Sequence, residues 1–325
     1  MKKGILYTLL LLLITACSTR EPKSIEYQEF GYTLVDSITE FPDSSFFSSI
    51  SQMQYSPDGS LIILDRNRGD ISRLSTDFKT FQVIMPHSET SLVNPESFYM
   101  KDGYLYVVDN LKVNNLMVIK DGTIVHAQHL DLISQGHRMT SEDNHLYMTL
   151  STDSTSILTV SADNLQEEKR SGRVIDGPDG KTARMNQRYL LSDGSYLYAV
   201  TECFPYIEKY DLKTGELIDS TDLSGIPVIA GNIEYISTLE LGPKSVALYL
   251  DDAYISQGIM YILCASRGEQ YERNTVILLD TDSMQPLGQV KLPSSFYDSI
   301  CADNDYLYAM ANSPNAELQK IKIER

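Results

Sequence analysis

One phrase recurs six times along the chain, and that recurrence constrains the fold more than any other feature. The copies are DGSLIILD (58–65), DGYLYVVD (102–109), DNHLYMTL (143–150), DGSYLYAV (193–200), SQGIMYIL (256–263) and DNDYLYAM (303–310). Aligned on Leu61, Leu105, Leu146, Leu197, Met260 and Leu307, they stand 44, 41, 51, 63 and 47 residues apart. Intervals of that size belong to β-propeller blades. Asp-Gly or Asp-Asn opens most copies and supplies the positive φ of a tight hairpin. The run that follows is apolar at nearly every position, as a strand reads when both its faces are covered.

Each copy sits inside a larger unit. A short strand precedes it (SSISQMQYS, ESFYMK, HRMTSE, QRYLLS, DAYIS, SICAD), and a second apolar run follows it after a polar loop. Most units then add a fourth strand, giving the order inner, middle, middle, outer. The sixth unit stops at its third strand, LQKIKIER (318–325), whereas an orphan strand, EYQEFGYTLVDSI (26–38), precedes the first. Placing the orphan beside the terminal run closes the ring and hides sheet edges that would invite aggregation. The sequence therefore predicts an all-β, six-bladed propeller of four-stranded blades, residues 26–325, in which the N-terminal strand completes the last blade. Helix signals are weak. The stretch 224–251 is too apolar for a bare loop and reads as an insertion or a lengthened fifth blade, such as a hairpin over one face; 173–186 is a shorter insertion.

The chain opens Met-Lys-Lys and continues GILYTLLLLLITA, a positive segment and an apolar run of leader length. It is shorter than the ~20 residues of a spanning helix. Ile14-Thr15-Ala16-Cys17 resembles the lipobox of bacterial lipoproteins. That resemblance implies a signal peptide over 1–16, cleavage before Cys17 and diacylglycerol on its sulfur, with 17–25 as a polar tether. Ser18 after the cysteine, by resemblance to Gram-negative sorting, implies the outer membrane, and the missing acidic run after Cys17 favours its periplasmic side. Lipid on Cys17 is then the membrane partner. The formal charge is −17, or −19 once Lys2 and Lys3 leave with the leader, a surface that repels nucleic acid. Besides Cys17 there are Cys203, Cys264 and Cys301, none in CxxC spacing. Cys264 and Cys301, in apolar strand-like runs, each read as a small buried hydrophobe, and zinc is not expected.

DGSLIILDRNRGDISRL (58–74) and DGYLYVVDNLKVNNLMVI (102–119) resemble NHL-type repeats: a Gly turn, an apolar strand, an Asp, a polar loop and a further strand. With the lipobox, the chain looks like the TolB-like six-bladed propeller lipoproteins of Gram-negative bacteria. The resemblance implies a fold and, at most, a binding platform for a protein, peptide or glycan. It implies no chemistry.

Chain direction locates the site. The loops after the recurring strands share one face with the loops leading into the inner strands, at one end of the central channel. The candidate ligand-binding residues there are Arg66, Glu96, Asp109, Arg138, Asn186, Arg188, Glu202, Arg267 and Asp298. Arg66, Arg138, Arg188 and Arg267 come from different blades and would seat a carboxylate or an anionic sugar bidentately. The competing reading pairs each with an acid of a neighbouring blade. No G-x-S-x-G or H-E-x-x-H occurs, so no catalytic residue, metal or cofactor is expected, and the chain reads as a monomeric binding protein. The alternative function is a metal-dependent hydrolase, lactonase or lyase using Glu96, Asn186, Glu202 and Asp298 in the channel.

Overall fold

A computed structural model describes residues 27–325 except 89, 114, 132–136, 151, 153, 178–179, 243–244, 268–269 and 314; the side chains of 267 and 313 are also outside it. The leader, the tether and Cys17 lie outside the described residues.

The structure is all-β, a propeller-like arrangement of four-stranded groups. After β1 (Gln28–Ile38) come β2 (Ile50–Ser56), β3 (Ser60–Asp65), β4 (Asp70–Ser75) and β5 (Phe81–Met85). Next are β6 (Pro95–Lys101), β7 (Tyr104–Asp109), β8 (Leu116–Lys120) and β9 (Thr123–Gln128). The third group is β10 (Thr140–Glu142), β11 (His145–Thr149), β12 (Ile157–Ser161) and β13 (Glu167–Ser171). The fourth is β14 (Arg188–Ser192), β15 (Tyr196–Thr201), β16 (Tyr206–Asp211) and β17 (Leu217–Asp222). Then follow β18 (Leu250–Ser256), β19 (Ile259–Arg267), β20 (Tyr271–Asp280) and β21 (Gln285–Lys291). Last come β22 (Phe296–Ala302), β23 (Leu307–Ser313) and β24 (Glu317–Glu324). The recurring phrase is the second strand of each group, fully buried in SLIILD, while outer strands such as β13 and β17 are exposed and polar. The Asp102-Gly103 turn has φ of 52° and 78°, the doubly left-handed geometry of a two-residue hairpin.

The expectation of six separate sheets is corrected. Hydrogen bonding gives four four-stranded sheets and one eight-stranded sheet, ordered β18-β19-β20-β21-β1-β24-β23-β22. The physical reason is chiefly β1, which has two partners, with one parallel bridge from Arg273 of β20 to Phe296 of β22 beside it. The first residues of β1 run parallel to β21, with Gln28 opposite Gly288 and Phe30 opposite Val290. The remainder runs antiparallel to β24, with Tyr32 opposite Ile323 and Leu34 opposite Ile321, the pairing expected of the orphan strand. Gly288 permits the join, because a Cβ there would collide with the Gln28 carbonyl. Among the described residues the apolar core divides into six clusters, each between successive groups of strands, one of them linking β22–β24 to β2–β4. The first strands of the groups also touch in a closed cycle, β2–β6–β10–β14–β18–β22–β2.

Among its described residues the stretch 224–251 forms no hairpin. It contains a helix, α2 (Pro227–Ser237), with Pro at its start and Ile229 and Asn232 buried, while Ile226, Val228 and Ile233 pack on the cluster between the fourth and fifth groups. Within 173–186 a single turn, α1 (Thr182–Met185), leads into β14. Cys203, Cys264 and Cys301 are free and buried, and burial raises all three thiol pKa values, that of Cys203 to about 12. Cys264 and Cys301 are thus the small buried hydrophobes the sequence suggested, and Cys203 is buried as well.

Candidate functional site at the loop-face end of the channel

The inner strands are the edges of their four-stranded groups, apart from the single bridge of β22 to β20, so their backbone groups need other partners. Side chains from adjacent inner strands provide them. Gln52 bridges to both the N–H and the carbonyl of Phe98, donating at 2.6 Å and accepting at 3.2 Å. Gln54 does the same with Met100 at 2.8 Å each way. Tyr254 Oη accepts from Tyr55 N at 3.0 Å, and Ser299 Oγ from Met53 N at 3.1 Å.

Arg138 completes this lining and divides the channel. Nε donates to Asp252 Oδ1 at 2.5 Å and Nη2 to Oδ2 at 2.6 Å. The same guanidinium donates to the carbonyls of Met53 and Ile300, both at 2.6 Å, and to Ser299 Oγ at 3.1 Å. Arg138 thus ties the third group to the first, fifth and sixth. It borders a cavity on either side. On the side of the Asp-Gly turns lies a cavity of about 580 Å³, whose lining includes Gln54, Tyr99, Glu142 and Tyr254. On the loop side lies a polar pocket of about 210 Å³ lined by Ser49, Ser51, Arg66, Arg138, Tyr189, Asp251, Asp252 and Asp298.

The loop-side pocket owes its side chains to a repeated backbone irregularity. In β2, β6, β18 and β22 the pairing with the following strand skips one residue near the start: Ser51, Glu96, Asp251 and Asp298 respectively. Such β-bulges re-aim a side chain that regular alternation would place elsewhere. Three of the four line the pocket, and the fourth, Glu96, holds Arg66 there through an ion pair and accepts from Asn94 Nδ2 at 2.8 Å.

The bulge acids are not equally satisfied. Asp298 is bonded to Arg273 and accepts from Asn312 Nδ2 at 2.6 Å. Asp251, with a side chain only 5% exposed, has a long 3.4 Å bond from Arg273 Nη1 to Oδ1, and Oδ2 has no partner. Burial raises its pKa to about 6 despite Arg273, with Glu202 and Asp252 adding to the rise. Ser51 Oγ is also buried without a partner, as is Arg273 Nε, though Arg273 does not line the pocket. His137 Nε2 lies 3.2 Å from Glu202 Oε2, within ion-pair reach but not aligned as a hydrogen bond, and its ring packs 4.8 Å from that of Tyr189.

Of the residues singled out in the sequence, Arg66, Arg138 and Asp298 line the pocket, Glu96 buttresses it and Glu202 stands beside His137. Others serve the frame. The Asp109 carboxylate accepts from the backbone N–H groups of Val93, Asn94 and Leu111, and Asp65 does the same for Ser48, Ser49 and Arg68. Asn186 is buried, bonded to Ile175 and Thr182. Arg188 is fully buried against Glu208, 3.6 Å away, and the carbonyl of Arg173. Arg267 ends β19 opposite Tyr271, and its side chain lies outside the described residues. The arginines described here are paired with acids, the competing reading of the sequence, rather than standing as an open anion seat. Sequence reasoning missed Asp251, Asp252 and Arg273. The signal was present: Glu96, His137, Arg188, Asp251 and Asp298 each stand nine residues before the aligned Leu or Met of their repeat. Among the described residues no group of His, Cys, Asp and Glu is arranged to hold a metal ion.

No family model matches the chain. It is 26% identical over 149 residues to the uncharacterized protein YwhL of Bacillus subtilis, a match covering 38% of this chain and 32% of that protein, so the shared part is about a third of the relative's length. Solved structures resemble it more extensively. BamB from Moraxella catarrhalis matches with a TM-score of 0.54 and 11% identity over 90% of this chain and 100% of its own. A candidate exported protein from Bacteroides fragilis matches at 0.57 and 12% over 91% and 95%. At these identities the likeness shows the fold alone, a propeller-like assembly of four-stranded sheets.

Proposed function

We propose that the chain is a TolB-like, six-bladed propeller of the cell envelope that binds a protein, peptide or glycan at the loop-face end of its channel, without catalysis. The six-blade count is supported by the six core clusters and the closed cycle of first strands, with the eight-stranded sheet dividing at β1 into two blades. The leader 1–16, the tether 17–25 and lipid on Cys17 remain part of this reading, as does the periplasmic face of the outer membrane. A leader-like N-terminus and the likeness to a candidate exported protein support the envelope.

The observation that carries the binding reading is a polar pit with a base. The bulge residues gather ionisable groups at one mouth, and the Arg138–Asp252 pair blocks the way through. A receptacle of this kind holds a group presented from outside and passes nothing. The test is affinity capture from detergent-solubilised envelope with the full chain and with an Asp298→Arg variant that fills the pit. One partner enriched by the parent chain and lost with the variant is expected; equal recovery by both overturns the reading. Replacing Cys17 by Ser should move the protein from the membrane to the soluble fraction, and retention in the membrane would remove the anchor.

A further inference from the structure

The loop-face pocket is under-neutralised. Asp251 and its neighbours Asp252, Asp298 and Glu202 make four carboxylates against the two guanidiniums of Arg138 and Arg273, and His137, 3.2 Å from Glu202, could match only one of the remaining two acids if charged. Arg66, the other cation lining the pocket, is matched by Glu96. The deficit is joined by a separate observation: Asp251 is buried, lines the pocket and keeps one carboxylate oxygen without a donor, with the unpartnered hydroxyl of Ser51 in the same lining. A buried unpaired carboxylate oxygen is unfavourable unless a cation or donor arrives.

We propose that this pocket takes a primary ammonium group, the Nζ of a lysine or the free amino terminus of a polypeptide, on Asp251. The inference rests on the binding reading above and names the chemistry of its ligand. Three features choose the ammonium. Asp251 Oδ1 already receives Arg273, so one oxygen is free, which suits a point charge and not the two-pronged fork of a guanidinium. The side chains lack a metal-ligating arrangement among the described residues. The volume of about 210 Å³ falls below the ~300 Å³ at which pockets begin to enclose a whole small molecule, so the ligand enters as the tip of something larger. Ser51 Oγ is a second acceptor for the same ammonium, and the Tyr189 ring forms part of the wall.

The test titrates the full chain with Nα-acetyl-lysine N-methylamide, with glycylglycinamide, which offers only a free amino terminus, and with the neutral Nε-acetylated lysine probe. Calcium chloride is a further control. Binding of at least one ammonium probe with a Kd on the order of 1 mM is expected, and the stronger of the two identifies the source. The acetylated probe and calcium should not compete. Asp251→Asn and Ser51→Ala should weaken binding, the former at least ~10-fold, with folding of both checked by circular dichroism. Because Asp251 must be ionised, affinity should fall as pH drops below about 6. Equal binding of the acetylated probe, or ammonium binding unchanged by Asp251→Asn, overturns the assignment. If neither ammonium probe binds while envelope capture still depends on the pit, the platform stands and the ammonium assignment falls. If the ammonium probes bind but capture fails, the pocket chemistry stands and the platform falls.

Discussion

Asp251 and Asp252 are adjacent in the chain, yet the fold treats them oppositely. Asp252 accepts from Arg138 twice, from the N–H groups of Ala253 and Ile300 at 2.9 and 2.8 Å, and from Ser299 Oγ at 3.1 Å. Asp251 has one long bond and an empty oxygen. The bulge between Leu250 and Asp252 separates them, leaving Asp251 without a strand partner at the channel mouth. The difference teaches how to read polar residues in this channel. A carboxylate whose oxygens are all occupied belongs to the frame, and one kept buried with capacity to spare is a place where something else can bind.

The comparison breaks most sharply at the satisfied acid. Asp252→Ala strands the buried Arg138 charge and should cost about 3–5 kcal/mol in urea unfolding. The double variant Arg138→Met/Asp252→Leu should recover much of that loss, and a double variant as unstable as Asp252→Ala would show that the pair is not the frame element described.

Asp251→Asn should act in the opposite direction. The folded pKa of Asp251 is raised from 3.8 to about 6. The native state therefore holds this proton more tightly, and stability falls as pH rises from about 4 to about 6, then levels off. Asn removes that penalty, a gain of up to ~2–3 kcal/mol at pH 7. Urea midpoints measured across pH 4–7 should lose that part of their slope in the variant. An Asp251→Asn protein less stable than the parent at pH 7 would end the contrast.

Smaller effects sharpen it. Gln52→Leu leaves the paired N–H and carbonyl of Phe98 without partners and should cost about 1–3 kcal/mol. Arg66→Lys, which keeps a cation beside the buried Glu96, should change stability by less than ~1 kcal/mol, since the Arg66 side chain is 41% exposed. A larger loss on thermal unfolding would place Arg66 in the frame.

The repeats made the four-stranded groups and the pairing of residues 26–38 with the tail legible, because period and alternation are local properties. Three things were not. The join of β1 to β21 depends on Gly288, whose meaning appears only when another backbone lies against it. Helix α2 was readable in principle from Pro227 and the spacing of Ile226, Ile229 and Ile233, but a 28-residue apolar insertion among strands suggested another hairpin. The site was half legible. Chain direction brought Arg66, Glu96, Arg138 and Asp298 to one end of the channel, and the structure gathers these four at the loop-side pocket. Asp109, Asn186 and Arg188 stand in equivalent loops and look the same in sequence, but whether a polar group meets backbone or open space is decided in three dimensions. Arg273 on β20 pairs with Asp251 and Asp298, a partnership that only the folded chain reveals, and the side chain of Arg267 lies outside the described residues.

The seam formed by β1 also sets an order on maturation. Leu34 meets Ile321 only after nearly the whole polypeptide between them has emerged. Until then the earliest strand is a solitary ribbon, and loop closure over so long a span is slow. Assembly of the circle is therefore a late event, governed by how long that first ribbon survives without a mate.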